Sequence, residues 1–197
     1  MGPGLRTDFS TAGLPDIEKV YGRSVFPCPF CDGFEVSDQR LAVFASAAAS
    51  HMGPLLRRWS DDVVVFTNGG PLEAEDRDEL ERAGVGVEVT PIEALEHDSG
   101  MLKSVVLADG RTVLRDAGFL GEPHAVLGTD LPAQLGVKTA VHPIMASPHY
   151  EADDFGKTAV RGVYVVGDLK RVFGGITAAA HDGYLCAAGI VHGLAHG

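Results

Sequence analysis

Residues 41–89 constrain the fold of this chain more than any other stretch. Leu41-Ala42-Val43-Phe44-Ala45 and Val63-Val64-Val65-Phe66 are short apolar runs bounded by polar and turn residues. Each is too short for a helix and reads as a buried strand. Residues 47–59 have helical character, with Pro54 forcing a late start or a kink. Residues 73–83 form a charged amphipathic segment, and Gly84 is placed to cap its C-terminus. Val85-Gly86-Val87-Glu88-Val89 predicts a third strand. Strand, helix, strand, helix, strand is the pattern of a parallel sheet in a doubly wound α/β domain.

Beyond residue 89 the pattern changes. Residues 102–107 and 112–114 flank Asp109-Gly110, a turn pair that predicts a β-hairpin. Residues 117–120 predict another short strand. Residues 121–160 read as loop-rich, with Pro123, Pro132, Pro143 and Pro148, and residues 1–27 as an irregular lead-in. Val163-Tyr164-Val165-Val166 predicts a final buried strand ending in Gly167-Asp168, and residues 176–194 a long Ala-rich helix.

The 197 residues allow one large domain or two small ones. A net charge of −11, with no basic stripe, argues against a general nucleic-acid binder. No apolar run approaches the ~18 residues of a membrane helix. Residues 1–15 lack the apolar core of a signal peptide, and three cysteines do not suit a secreted disulfide scaffold. The expectation is a cytoplasmic protein.

In that setting Cys28-Pro29-Phe30-Cys31, followed by Asp32-Gly33, is the motif that carries chemistry. Two thiols at this spacing can close a small disulfide, and the attacking species in exchange is a thiolate. Asp32 cannot lower a thiol pKa as a neighbouring anion. It suits the opposite task, giving up a proton, if burial raises its own pKa. Zinc would want four ligands, usually two such pairs, and only one is present. The plainer alternative is two inert cysteines in a turn, with Asp32 bonding backbone. Gly167-Asp168 precedes a helix at a strand end, where ligands dock in open α/β sheets. There Asp168 would accept from hydroxyls, or merely cap the helix. Cys186 reads as core packing, and His181 as a helix-surface residue.

Three passages resemble the low-molecular-weight thioredoxin reductases, a family of flavoprotein disulfide oxidoreductases. Tyr21-Gly22-Arg23-Ser24-Val25 leading into Cys28-Pro29-Phe30-Cys31-Asp32-Gly33 is similar to the family's passage into its pyridine-nucleotide domain and redox-active pair. Residues 41–69 are similar to the first βαβ of that domain. Gly162-Val163-Tyr164-Val165-Val166-Gly167-Asp168, with residues 176–183 and Ala187-Ala188, resembles the closing flavin-binding segment.

The resemblance implies electron flow from a nicotinamide through FAD to the cysteine pair and then to a partner disulfide. By position it implies Cys28 and Cys31 as the redox couple and Asp32 as the acid beside it. It implies Asp168, with Gly167, at the flavin's ribityl chain, and backbone near Gly175 and Ile176 by the isoalloxazine. The implied architecture is a nucleotide-binding-like domain at 22–120, carrying the cysteines, inserted between remnants of an FAD-binding domain at 1–21 and 121–197. Implied partners are a protein disulfide such as thioredoxin or a small-molecule dithiol, with a homodimer or a complementing FAD-domain chain as the assembly.

The sequence also departs from the family. Where a dinucleotide fold places glycines after its first strand, this chain has Ala45-Ser46-Ala47-Ala48-Ala49-Ser50, and a methyl at Ala47 would crowd a pyrophosphate. Where an acid would bind the ribose stand Asn68 and Gly69. Weak or absent NADPH binding is expected. Phe173-Gly174 replaces the family's Arg-Gln pair. The sequence starts after the family's first Gly-rich FAD unit, so a partial FAD site with exposed apolar surface is expected. Besides a disulfide reductase, or a piece of one, two readings stay open: a flavin-linked dithiol oxidase passing electrons to oxygen, and a degenerate interaction module without catalysis.

Overall fold

The computed structural model describes residues 4–11, 13–121, 125–142, 147–171 and 174–196. In chain order its elements are β1 (Leu5–Thr7), α1 (Ile17–Val20), β2 (Val25–Phe26), α2 (Pro29–Asp32), β3 (Leu41–Phe44), α3 (Ala49–Leu56), β4 (Val63–Phe66) and α4 (Ala74–Arg82). Then come β5 (Gly86–Glu88), β6 (Ile92–Asp98), β7 (Met101–Leu107), β8 (Thr112–Leu114), β9 (Ala117–Leu120) and β10 (Ala125–Leu127). The chain closes with α5 (Leu131–Gln134), β11 (Thr139–Val141), β12 (Pro148–Tyr150) and α6 (Ile176–His196). These elements divide into two compact units, Phe9–Pro123, and Met1–Asp8 with His124–Gly197.

In the unit Phe9–Pro123, five parallel strands lie in the order β2-β9-β3-β4-β5. The predicted mixed α/β fold with a parallel sheet is therefore present. Side chains alternate across it as the period-2 rule requires. Leu41, Val43, Val63, Val65, Ala117 and Phe119 join Met52, Leu56 and Leu80 of α3 and α4 in one core. Ala42, Phe44, Phe66 and Leu120 face the other way and pack with Ile17, Val20, Leu95, Leu102, Val105 and Leu107. The second layer is thus α1 and the antiparallel sheet β6-β7-β8. With both faces covered, β3 and β9 are buried along their whole length.

Local signals set several boundaries. Gly84 lies at φ 69°, its N–H donating to the Glu81 carbonyl and that of Val85 to the Leu80 carbonyl, so α4 ends in a Schellman cap. Asp109-Gly110 turns the β7–β8 hairpin, with Gly110 at φ 85°. Helix α3 starts later than residue 47 and keeps Pro54 inside it.

Some expectations need correction. The lead-in is not irregular throughout: it holds α1 and β2, and β1, which pairs with β10. Strand β6 went unseen because Glu93, Glu96, His97 and Asp98 break its apolar pattern. Residues 163–166 form no strand in any sheet; the only bridge recorded there joins Tyr164 to Lys157. Val165 is buried with Val137 and Tyr150, while Tyr164 is exposed. An apolar run becomes a strand only where a neighbouring strand offers a ladder. The predicted loop-rich stretch carries short pieces, β10, α5 and the β11–β12 pair. Residues 123, 124, 143 and 173 lie outside the described residues. No helix among the described residues is long and apolar enough to cross a membrane.

Candidate functional site

The first cluster lies at the carboxyl end of β2, an edge strand of the parallel sheet. Ligands and reacting groups gather at such strand ends in doubly wound folds. Cys28 is the N-cap of α2, in extended backbone, and Pro29 fills the first helical position, where its missing N–H costs nothing. The Cys31 N–H donates to the Cys28 carbonyl at 3.1 Å, and that of Asp32 to the same oxygen at 3.2 Å. One tight turn therefore holds both cysteines. Both are in the thiol state, Cys28 half-buried and Cys31 exposed.

Asp32 sits beside them, half-buried. Burial, and secondarily the Glu35 charge, push its carboxyl above the usual aspartate range. Gly33 has no room for a side chain: a Cβ would lie 2.4 Å from the Pro29 carbonyl oxygen and 2.7 Å from Trp59 Nε1. Phe30, between the cysteines, meets Trp59 edge-on and is otherwise open to solvent. The sequence reading named the cysteines and Asp32 but not this aromatic setting. Its signal was an apolar ring within the Cys-x-x-Cys pair and a second at Phe34.

The carboxyl ends of β3 and β4 are built differently from an open nucleotide crevice. Ser46 Oγ donates to the Pro71 carbonyl at 2.6 Å. Asn68, at φ 50°, donates through Nδ2 to the Gly13 carbonyl at 3.0 Å, and its Oδ1 accepts from the Ile92 N–H at 2.7 Å. The Asn68 amide thus bridges the Gly13 loop and the start of β6.

The other predicted residues lie in the unit containing α6. Gly167 is at φ 66° and starts a single 3₁₀ turn that includes Asp168. Asp168 is exposed, and its carboxylate lies in a cradle of two glycines. A Cβ on Gly4 would come within 3.2 Å of Asp168 Cβ, and one on Gly174 within 3.2 Å of Oδ1. Gly175 takes φ 80° with nothing within 4 Å of its missing side chain, and Ile176 opens α6 at 92% exposure.

Asp182 holds this turn, although its sequence context marks it only as a helix residue beside His181. It is fully buried. Its Oδ1 and Oδ2 accept from Arg171 Nε at 2.9 and 2.8 Å, and Oδ2 accepts from the Gly167 N–H at 3.3 Å. The Arg171 bond holds its carboxyl below the usual aspartate range against the opposing effect of burial. Cys186, four residues on, is buried.

No family model matches the chain. The thioredoxin reductase aclD of Aspergillus oryzae is 28% identical over 196 residues, covering 92% of this chain and 60% of that protein. A solved structure described as TrxB from Bacillus anthracis superposes with a TM-score of 0.87 at 29% identity, covering 98% of this chain and 63% of the other. The HlmI structure gives 0.85 at 32% identity, covering 98% and 59%. The chain spans 45% to 60% of the length of the curated relatives it matches. In sequence and in fold the chain is thioredoxin reductase-like along nearly all of its length, and it corresponds to part of such a protein.

Proposed function

We propose that this chain carries the dithiol–disulfide centre of a thioredoxin reductase-like oxidoreductase, with Cys28 and Cys31 as the couple. The observation behind this is their placement at the two ends of one surface turn, beside a carboxyl group with raised proton affinity. Cys31, the more exposed thiol, meets the partner disulfide, and Cys28 resolves the mixed disulfide. Asp32 supplies the proton that the departing thiolate takes up. The partner is a protein disulfide such as thioredoxin or a small-molecule dithiol, encountered in the cytoplasm.

FAD, when bound, supplies the two-electron acceptor or donor for the pair. Asp168 would accept from its ribityl hydroxyls, with bare backbone at Gly167, Gly175 and Ile176 beside it. A second reading, a dithiol oxidase that passes electrons to oxygen, draws on Asn68: its amide is engaged with Gly13 and Ile92 and carries no charge for a ribose hydroxyl, where an acid would serve. On that reading NADPH binds weakly or not at all.

Thiol trapping across a graded dithiothreitol redox buffer tests the centre. Wild type should lose two reactive thiols together in one two-electron transition, and Cys28→Ser should keep its remaining Cys31 thiol, which has no internal partner. Two thiols that persist under oxidising conditions in folded wild type would remove the proposal. Adding FAD then separates the electron routes. Oxygen uptake with a dithiol and no NADPH supports the oxidase, and NADPH-dependent reduction supports the reductase.

A further inference from the structure

The cysteine pair is set in a bare aromatic surface that the redox chemistry does not itself require. Phe30 is 75% exposed and Phe34 is 84% exposed. Rings of this size gain free energy when covered. Gly33, the C-cap of α2, keeps helical dihedrals (φ −65°, ψ −29°), so one turn of chain leads from Phe30 to Phe34. The turn is also held firm. Ser37 Oγ donates to the Gly33 and Phe34 carbonyls at 3.1 and 2.8 Å, and Trp59 braces Phe30 edge-on. A turn whose backbone is already held loses little backbone entropy when its rings are covered.

The segment that carries both rings is acidic. Residues 28–39 carry Asp32, Glu35 and Asp38 and contain no lysine or arginine. A substrate with carboxylates next to its sulfurs would meet like charge there, and one with apolar flanks would meet the rings.

We propose that Phe30 and Phe34 form the substrate platform of the Cys28–Cys31 centre, selecting an uncharged disulfide with aromatic or aliphatic flanks over one flanked by carboxylates. This rests on the dithiol reading above. In the exchange, a thiolate of the pair attacks one substrate sulfur. A mixed S–S bond forms as the substrate's own S–S bond breaks, and the departing thiolate takes a proton. The second cysteine then closes the Cys28–Cys31 bond and expels the second thiol. The chain gives up two electrons and the substrate gains two.

The test is the exchange rate of the reduced chain with four probe disulfides, each divided by the rate of a free small thiol to cancel intrinsic reactivity. The probes are 4,4′-dithiodipyridine (neutral, aromatic), 2-hydroxyethyl disulfide (neutral, not aromatic), oxidised glutathione (anionic) and cystamine (cationic). The neutral aromatic probe should be favoured over glutathione by about tenfold or more. Phe34→Ser, which removes the more exposed of the two rings, should reduce that preference several-fold, as should Phe30→Ser. Equal normalised rates for all probes, or a preference unchanged in both variants, overturn the platform but leave the dithiol reading standing. Cystamine as the fastest probe would mean that charge alone selects, and also overturns it. No exchange with any probe in a folded chain removes both.

Discussion

The ring of Phe30 meets the indole of Trp59 edge-on, with centroids 5.6 Å apart and planes inclined at 83°. Trp59 is the single tryptophan of the chain. A Cys28–Cys31 bond would close around Phe30 and move its ring against that indole. Oxidation should therefore change Trp59 fluorescence, and Phe30→Leu should remove most of the change. Identical emission from the oxidised and reduced wild-type chain would count against a working pair at this position.

The same indole limits Gly33. A methyl there meets both the Pro29 carbonyl and Trp59 Nε1 well inside contact distance. Gly33→Ala should cost about 1–3 kcal/mol by overpacking. Thermal unfolding should show a lower Tm, and the redox potential of the pair should shift as the turn opens. An unchanged Tm would mean that the turn relaxes freely.

Asp32 and Glu88 should affect acid stability with opposite signs. Asp32 is raised in the fold by burial and by Glu35. A raised carboxyl contributes stability below its unfolded pKa and loses it as pH rises through the folded value. Asp32→Asn should therefore be more stable than wild type near neutral pH, with the gain vanishing in acid.

For Glu88, burial works to raise the carboxyl, but hydrogen bonds from Arg111 and from Thr90 outweigh it and hold the group at about 2. A depressed carboxyl contributes above its unfolded pKa and loses that contribution as pH falls toward the folded value. Glu88→Gln should be less stable than wild type at neutral pH and converge with it by about pH 2. Denaturant midpoints measured between neutral pH and that limit would check both variants.

Asp182 ties Gly167 to α6 through its buried carboxylate. Asp182→Leu strands the Gly167 N–H, a loss of about 1–3 kcal/mol for an unpaired buried donor. Hydrogen exchange at Gly167 should quicken about tenfold or more, while amides of β3 and β4 keep their protection. Unchanged exchange at Gly167 would show that this bond does not hold the turn.

Elements whose signals are local are legible in the chain before it folds. The apolar runs at 41–44 and 63–66 gave buried parallel strands, because a strand covered on both faces needs no polar alternation. Gly84 and Asp109-Gly110 gave a cap and a turn, because each supplies a positive φ that other residues resist. The spacing of Cys28 and Cys31 placed both thiols on one turn.

Features that depend on partners distant in the chain emerge with the packed fold. Strand β9 lies between β2 and β3, and Asp116 just before it accepts from the Arg40 backbone N–H across 76 positions of sequence. Strand β6 took its identity from β7, while residues 163–166 found no such ladder. Asp182 became a buried anion only because Arg171 and the Gly167 N–H converge on it. Periodicity is written into neighbouring residues, whereas strand order and the pairing of a buried charge are settled when remote segments compete to cover the same groups.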